Sequence, residues 1–487
     1  MMNISKPKHV FHSSILRAYD IRGIYNETLF DNDGYFLGKS FAVFMKNNNM
    51  NKIAIACDGR ISSPILKERL LQALESSGLY VVDIGLGPTP MLYYAVQHLN
   101  CDAGIMITGS HNPGNHNGFK ITLKNRPFFG EDITNLNKNL DESDFYEGQG
   151  VIEEVDLRAS YAERILQDCV IQNNASEFLN EVDEFTAKRK LKIAWDAGNG
   201  AGGEIMEMLS KNIFAENFLL FKEIDGNFPN HHPDPTVLKN LSNLIETVQK
   251  NHCDLGVAFD GDADRIGVVD DQGEVIWGDQ LMILFAREVL TQNPNATIIA
   301  DVKASNVLFD EIKKSQGNPI MWKTGHSLIK AKMKETNALL AGEMSGHIFF
   351  ADKYYGFDDA LYSAIRIINI VANSDKSLSQ MRSELPKTYS TPEIRIECSE
   401  ENKFQLIEDL KKLLKENSQD FNDIDGIRVT NNSGWWLIRA SNTQSVLVAR
   451  CEGNSPENLE ELKENLRKKL EFCKLEIPDE LKINSAE

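Results

Sequence analysis

Apolar positions along this chain follow two alternating patterns. Short runs rich in β-branched residues end in small polar loops, and longer stretches place leucine every three or four positions. The first pattern predicts buried strands and the second predicts amphipathic helices. Three segments repeat one plan: a run ending in a polar loop, a helix, then a second run that also ends in a polar loop. In the first, Ile53-Ala54-Ile55-Ala56-Cys57 leads into Asp58-Gly59-Arg60. A helix follows, with Ser63 as cap, Pro64 in its first turn, Leu66, Leu70 and Leu74 on one face and Gly78 beyond it. Its partner run, 103–108, enters Gly109-Ser110-His111-Asn112-Pro113. The second segment pairs 192–195, before Asp196-Ala197-Gly198-Asn199-Gly200, with 254–259, before Asp260-Gly261-Asp262-Ala263-Asp264-Arg265. The third pairs 297–300, before Asp301-Val302-Lys303, with 338–341, before Gly342-Glu343-Met344-Ser345-Gly346-His347.

Alternation of this kind predicts three similar α/β domains with parallel or mixed sheets, and ligands gather at the carboxyl ends of such strands. The last hundred residues differ. A strand over 393–398, a helix over 401–415, strands near Ile427, Trp436 and Val448, and a final helix capped by Ser455 with Pro456 at its first position predict a smaller α+β domain with an antiparallel sheet. The expected domains are 1–155, 156–274, 275–386 and 387–487. A pivot is expected over 385–391, bracketed by Pro386 and Pro392.

Composition narrows the picture. A chain of 487 residues exceeds one hydrophobic core, and 42% hydrophobic with 25% charged residues fits a chain that folds throughout. The N-terminus carries no apolar stretch of signal-peptide length and no later segment approaches a bilayer span, so neither secretion nor membrane embedding is expected. Seven scattered cysteines suggest neither a disulfide framework nor a thiolate metal site, which fits a cytoplasmic location. A net charge of −19 argues against nucleic acid as a partner. An anionic substrate would then need a basic island within an acidic protein.

Candidate chemistry begins with Asp260, Asp262 and Asp264, alternate carboxylates directly after an apolar run. Hard divalent cations take oxygen ligands, and a tight loop turns alternate side chains onto one ion. A calcium loop would require Gly where Arg265 stands, Glu where Asp271 stands, and flanking helices. A plain Asp/Gly surface turn would leave three carboxylates repelling one another, so magnesium is the better reading. Ser110 lies on an equivalent strand-end loop, with Lys120 ten residues on, and no Gly-x-Ser-x-Gly elbow surrounds it. A serine that holds phosphate beside magnesium serves as nucleophile and leaving group in turn.

These loops together resemble the phosphohexomutase superfamily, most closely its bacterial phosphomannomutase/phosphoglucomutase group. The resemblance runs from Arg17 to about Phe472. It rests on Thr108-Gly109-Ser110-His111-Asn112-Pro113 with Asn117-Gly118-Phe119-Lys120, on the aspartate loop through Arg265, on Gly342 through His347, and on Arg439-Ala440-Ser441-Asn442-Thr443. Shorter matches are Arg17 through Gly23, Asp301-Val302-Lys303 and Trp322-Lys323-Thr324-Gly325-His326. The family implies four domains around one central cleft and a reversible transfer between the 1- and 6-positions of mannose and glucose phosphates, through a phosphorylated Ser110 and a hexose 1,6-bisphosphate that also acts as activator.

By the same resemblance, Ser110, Asp260, Asp262 and Asp264 hold Mg2+. Lys120 and Arg22 lie near the transferring group, Arg265 holds the intermediate and His347 is a candidate base. Tyr19, Lys303, His326, Glu343, Ser345, Arg439, Ser441, Asn442 and Thr443 bind substrate. Lysine could be the base only with a depressed pKa, so the base stays open between Lys120 and His347. Two departures from the family pattern stand out: Gln444 and Ser445 where relatives often carry Pro, and His116 where they commonly carry Tyr. Three rival readings are a phosphoglucosamine mutase, a phosphatase with Asp260 as nucleophile, and a sugar-phosphate binder without catalysis. Monomer and dimer both fit.

Overall fold

The structure, a computed structural model, describes residues 9–142, 145–172, 190–399, 401–442 and 445–482. The first sheet holds β1 (Ile21–Ile24), β2 (Lys52–Cys57), β3 (Tyr80–Leu86), β4 (Ala103–Ile107), β5 (His116–Leu123), β6 (Arg126–Pro127) and β7 (Val151–Glu154), in the order β1-β5-β4-β2-β3-β7 with β6 on β5. The second holds β8 (Leu191–Asp196), β9 (Ala215–Leu220), β10 (Leu255–Phe259), β11 (Ile266–Asp270) and β12 (Val275–Ile276), ordered β12-β11-β10-β8-β9. The third holds β13 (Thr297–Asp301), β14 (Asn318–Trp322), β15 (Leu340–Gly342) and β16 (Ile348–Phe350), ordered β14-β13-β15-β16. The fourth holds β17 (Tyr389–Ser390), β18 (Ile394–Glu397), β19 (Ile427–Asn431), β20 (Gly434–Ala440) and β21 (Val446–Gly453), ordered β17-β21-β20-β19 with β18 on β21.

The repeated plan of the sequence is visible in the pairing. β2 with β4, β8 with β10, and β13 with β15 are adjacent and parallel. Each second strand then gains its chain successor as an antiparallel neighbour: β5 on β4, β11 on β10 and β16 on β15. The polar loops are therefore reversals, with both ends hydrogen-bonded into one sheet. In the fourth sheet, antiparallel throughout, β20 and β21 likewise pair as chain successors, with Ala440 opposite Leu447.

Burial follows the apolar pattern. Leu66, Leu70 and Leu74 are buried along the helix Ser63–Glu75. Ser63 is its first helical residue rather than its cap, because its hydroxyl donates to Asp58 Oδ1 at 2.6 Å and Ser62 takes the cap position. Ser455 does cap Pro456–Phe472, accepting from Asn458 N at 3.2 Å. One apolar cluster, including Leu92, Tyr161, Trp195, Phe285 and Leu361, runs without a break through the first three units. The C-terminal unit has its own core of Ile407, Leu410, Trp436, Leu462 and their neighbours. Each fully buried side chain of this kind contributes about 1.5–3 kcal/mol.

The seam between the third and fourth units is polar. Arg428 lies under the Trp435 ring, 3.8 Å from its centroid, and donates to Ala304 O at 2.8 Å and Asn306 Oδ1 at 2.6 Å. Arg450 donates to Lys303 O at 2.6 Å, and Glu452 accepts from Ser305 Oγ at 2.7 Å and Trp435 Nε1 at 2.8 Å. Val302, Trp435 and Leu437 form the small apolar patch beside these bonds. Within the span 385–391, where a pivot was expected, Tyr389–Ser390 pairs with Gly453 and Glu452, and Thr391 N donates to Cys451 O at 3.0 Å, so these three residues are tied to the fourth sheet. No disulfide is formed among the described residues, and no helix among them is long and apolar enough to cross a membrane.

Candidate active site

The four reversals meet at one cleft of about 1270 Å³. Tyr19, Arg22, Ser110 and Lys120 line it from the first unit, Arg265 from the second, and Lys303, His326, Glu343, Ser345 and His347 from the third. Arg439 and Ser441 line it from the fourth; Asn442 is half-buried outside the lining, and Thr443 and Gln444 lie outside the described residues. His116, the other departure, lines the cleft as well. Eight Lys and Arg against four Asp and Glu face this space, so a protein of net charge −19 does carry a basic island here.

Ser110 sits at the floor, 2% exposed and with a left-handed backbone at φ +50°. Its hydroxyl donates to Asp260 Oδ2 at 2.9 Å. The approach needs glycine opposite, since a Cβ on Gly261 would fall 2.4 Å from Ser110 O. Asp260, Asp262 and Asp264 are fully buried, with carboxylate oxygens within 4.8 Å of one another. Asp262 Oδ2 accepts from Thr89 Oγ1 at 2.5 Å and Lys120 Nζ at 2.7 Å, and Lys120 also pairs with Asp264. Oδ1 of Asp262 and Oδ1 of Asp264 have no hydrogen-bond partner.

One ammonium among three buried carboxylates leaves negative charge uncompensated. Burial, and then repulsion from Asp264 and Asp262, push the Asp260 carboxyl well above its ordinary range. A hard divalent cation suits this donor set, and the partnerless oxygens are where its ligands would come from. Flanking strands β10 and β11, rather than helices, separate the loop from a calcium hand. Burial alone would lower Lys120, but Asp262 and Asp264 outweigh it and hold the ammonium above its usual value.

His347 is hydrogen-bonded at one ring nitrogen and lies near two carboxylates at the other, where Nδ1 makes no hydrogen bond. Its Nε2 accepts from Arg265 Nε at 3.0 Å, so the ring proton is on Nδ1, which lies 3.2 Å from Asp358 Oδ2 and 3.5 Å from Asp264 Oδ1. That proton keeps Nδ1 from ligating a cation between Asp264 and Asp358. Lys330 Nζ donates to Asp358 Oδ1 at 2.9 Å. His326 stacks on His347 at 5.8 Å between centroids; neither of its ring nitrogens is hydrogen-bonded, with Nε2 3.4 Å from Asp20 Oδ1 and Nδ1 3.8 Å from Asp358 Oδ2.

Toward the fourth unit, Arg439 is buried with Nε on Asp425 Oδ2 at 2.9 Å and Nη2 without a partner. Lys303 pairs with Glu393 at 3.0 Å, and Glu343 Oε1 accepts from Gly325 N at 2.5 Å. Arg22 donates to Thr108 O at 2.9 Å, tying the start of the chain to the serine loop. Sequence reasoning missed Asp358, Lys330, Thr89 and Asp425, which lie outside any motif, and it gave no role to Arg60, whose place at a strand end equivalent to the other loops was the available signal.

Family models of the phosphoglucomutase/phosphomannomutase alpha/beta/alpha domains I, II and III match residues 13–147, 173–273 and 277–389, and that of the C-terminal domain matches 393–469. The chain is 41% identical to the phosphomannomutase/phosphoglucomutase of Pseudomonas aeruginosa, over 96% of this chain and 97% of that one. It is also 41% identical to a phosphoglucomutase of Neisseria gonorrhoeae, over 94% and 96%. Among solved structures, a phosphoglucomutase/phosphomannomutase family protein of Burkholderia thailandensis superposes with a TM-score of 0.86 at 39% identity, covering 95% of this chain and 98% of that one. The chain belongs to the phosphoglucomutase/phosphomannomutase family.

Proposed function

We propose that this chain is a phosphohexomutase of the cytoplasm. It moves a phosphoryl group between the 1- and 6-positions of mannose and glucose phosphates, through phosphorylated Ser110 and a hexose 1,6-bisphosphate that also serves as activator. The observation that carries the reading is Ser110 Oγ at 2.9 Å from Asp260 Oδ2, at the floor of the cleft that also holds Arg439. Ser110, Asp260, Asp262 and Asp264 would hold Mg2+, which offsets charge on the transferring phosphoryl oxygens.

In the forward half-reaction the bond from Ser110 Oγ to phosphorus breaks, a sugar oxygen bonds the phosphorus, and the sugar hydroxyl gives up its proton. His347 is the base once its Nε2 lone pair is released from the Arg265 Nε–H that it accepts at 3.0 Å, and Asp358, 3.2 Å beyond Nδ1, steadies the imidazolium that forms. Lys120 stays an ammonium beside the transferred group, because the aspartates raise its pKa. The bisphosphate then turns end for end and returns its other phosphoryl group to Ser110. Arg439 and Ser441, with Asn442 and Thr443, clamp the distant phosphate, and the partnerless Nη2 of Arg439 supports that role. Tyr19, Lys303 and His326 line the path between, and Glu343 and Ser345 take the sugar 3- and 4-hydroxyls, which glucose and mannose dispose alike.

The phosphatase reading loses ground because both oxygens of Asp260 are engaged, Oδ1 with Asp264 N and Arg265 N at 3.0 Å each. Intact-mass measurement with an isomerisation assay on glucose, mannose and glucosamine phosphates tests the proposal. The expected outcome is one phosphoryl adduct lost in Ser110→Ala, turnover lower by more than about a thousandfold in that variant, and comparable rates on the first two sugars with little on the third. Full turnover in Ser110→Ala would sink the reading.

A further inference from the structure

The Asp58-Gly59-Arg60 loop ends β2, the strand parallel to β4, and its arginine is 1% exposed. All five guanidinium N–H groups of Arg60 are used. Nε donates to Asp58 Oδ2 at 3.1 Å; Nη1 donates to Pro113 O at 2.5 Å and His116 O at 2.9 Å; Nη2 donates to Ser110 O and Asn112 O at 2.6 Å each. Four carbonyls of the serine loop thus end on one planar cation. Asp58 Oδ2 also accepts from Gly109 N at 3.2 Å, gripping the same loop from its start. Gly109 is required for the fit, since a Cβ there would lie 2.3 Å from Arg60 Cζ.

We infer that Arg60 is the positioning residue that fixes the catalytic serine, holding the left-handed backbone of Ser110 and thereby the direction of its Oγ. This deepens the serine-phosphoryl reading above and rests on it. A serine at φ +50° is strained, and such strain persists only where the surroundings over-determine it. Here the Ser110 carbonyl is held on one side by Arg60 and pressed on the other by Gly261. Phe228 stacks over the guanidinium at 5.2 Å, so the metal-loop unit buttresses the same residue. Arg60 touches no reacting atom; it acts through the peptide group of Ser110.

A loosened loop has two consequences. Transfer to the sugar slows, because Oγ no longer points at the acceptor's path. Water gains access to the phosphoserine: its oxygen bonds phosphorus, the bond to Ser110 Oγ breaks, a water proton passes to Oγ, and inorganic phosphate leaves.

The test uses full-length protein charged with glucose 1,6-bisphosphate, comparing wild type with Arg60→Lys, which supplies three donors from one point for four carbonyls. Expected are a kcat lower on the order of 100-fold with KM within about threefold, and loss of the phosphoryl adduct, followed by intact mass without substrate, faster by about tenfold or more. If the lysine variant does not fold, Asp58→Asn, which weakens the hold on Nε, is expected to lower kcat about tenfold at constant KM. A wild type that never acquires the adduct overturns the mutase reading and this inference with it. A wild type that carries the adduct, beside a folded variant whose kcat and adduct lifetime match it, overturns the inference alone.

Discussion

Around Ser110 the cleft is built on β4 and β10, strands of two sheets that share one unbroken apolar core with the third unit. Around Arg439 it is built on β20, in a unit with its own core, joined to the third unit through Arg428, Arg450, Glu452 and a patch of three apolar residues. The first end is locked by packing, which tolerates little displacement. The second is held by hydrogen bonds that water can replace one at a time. On the function proposed above, chemistry that needs aligned atoms would sit at the packed end, and recognition of a phosphate presented by either end of a sugar at the seam.

The comparison breaks most directly at the metal. Chelation is expected to lower turnover by at least about a thousandfold, with recovery on adding Mg2+ in a coupled isomerisation assay, while glucose 1-phosphate binding by calorimetry weakens far less. Replacing Lys120 with Met strands two buried carboxylates at the packed end. It is expected to cost about 3–4 kcal/mol by urea unfolding of the metal-free protein, and less when Mg2+ is present. At the seam, Arg439→Met removes the buried fork and is expected to lower kcat/KM about 100-fold, at a smaller cost in unfolding free energy than Lys120→Met, because the single carboxylate left behind, Asp425, is 13% exposed and still accepts from Thr324 N. A large stability loss there would show that the seam is as tightly packed as the floor.

The smallest effect concerns pH. Asp359, in the shared core, is pushed up to about 7 by burial, despite accepting from Tyr362 N, Tyr161 Oη and Tyr354 Oη. The folded chain therefore binds a proton that the unfolded chain has released, so this contribution is full below about pH 4 and is lost as pH rises through 7. Relative to wild type, Asp359→Asn is expected to gain about 2 kcal/mol between pH 5.5 and pH 8 in thermal melts. A constant difference across that range would refute it.

What the sequence disclosed divides along the same line. The clustering of Asp260, Asp262 and Asp264 was legible because alternate positions in one tight loop bring their carboxylates together, and the place of Ser110 in the cleft because its loop ends an equivalent strand. The parallel pairing of β2 with β4 was legible from repeated apolar runs. Asp358 was not, because its worth comes from His347 Nδ1 at 3.2 Å, a neighbour in space set by the turn after β15. Nor was Glu452, whose partners Ser305 and Trp435 meet only when two units dock. Ser63 misled because its hydroxyl could accept from the free N–H groups of a helix start or donate to Asp58, and it donates to Asp58 from inside the first turn.

The 2% exposure of Ser110 also bears on how the protein is switched on. A protein kinase must wrap several residues of extended chain on either side of the hydroxyl it modifies, and here those residues are folded into a hairpin at the bottom of a pit. Macromolecular kinases and phosphatases are thus shut out. On the phosphoserine reading proposed above, charging of this serine would fall to molecules small enough to enter the cleft, and the charged fraction of the protein would follow their concentration.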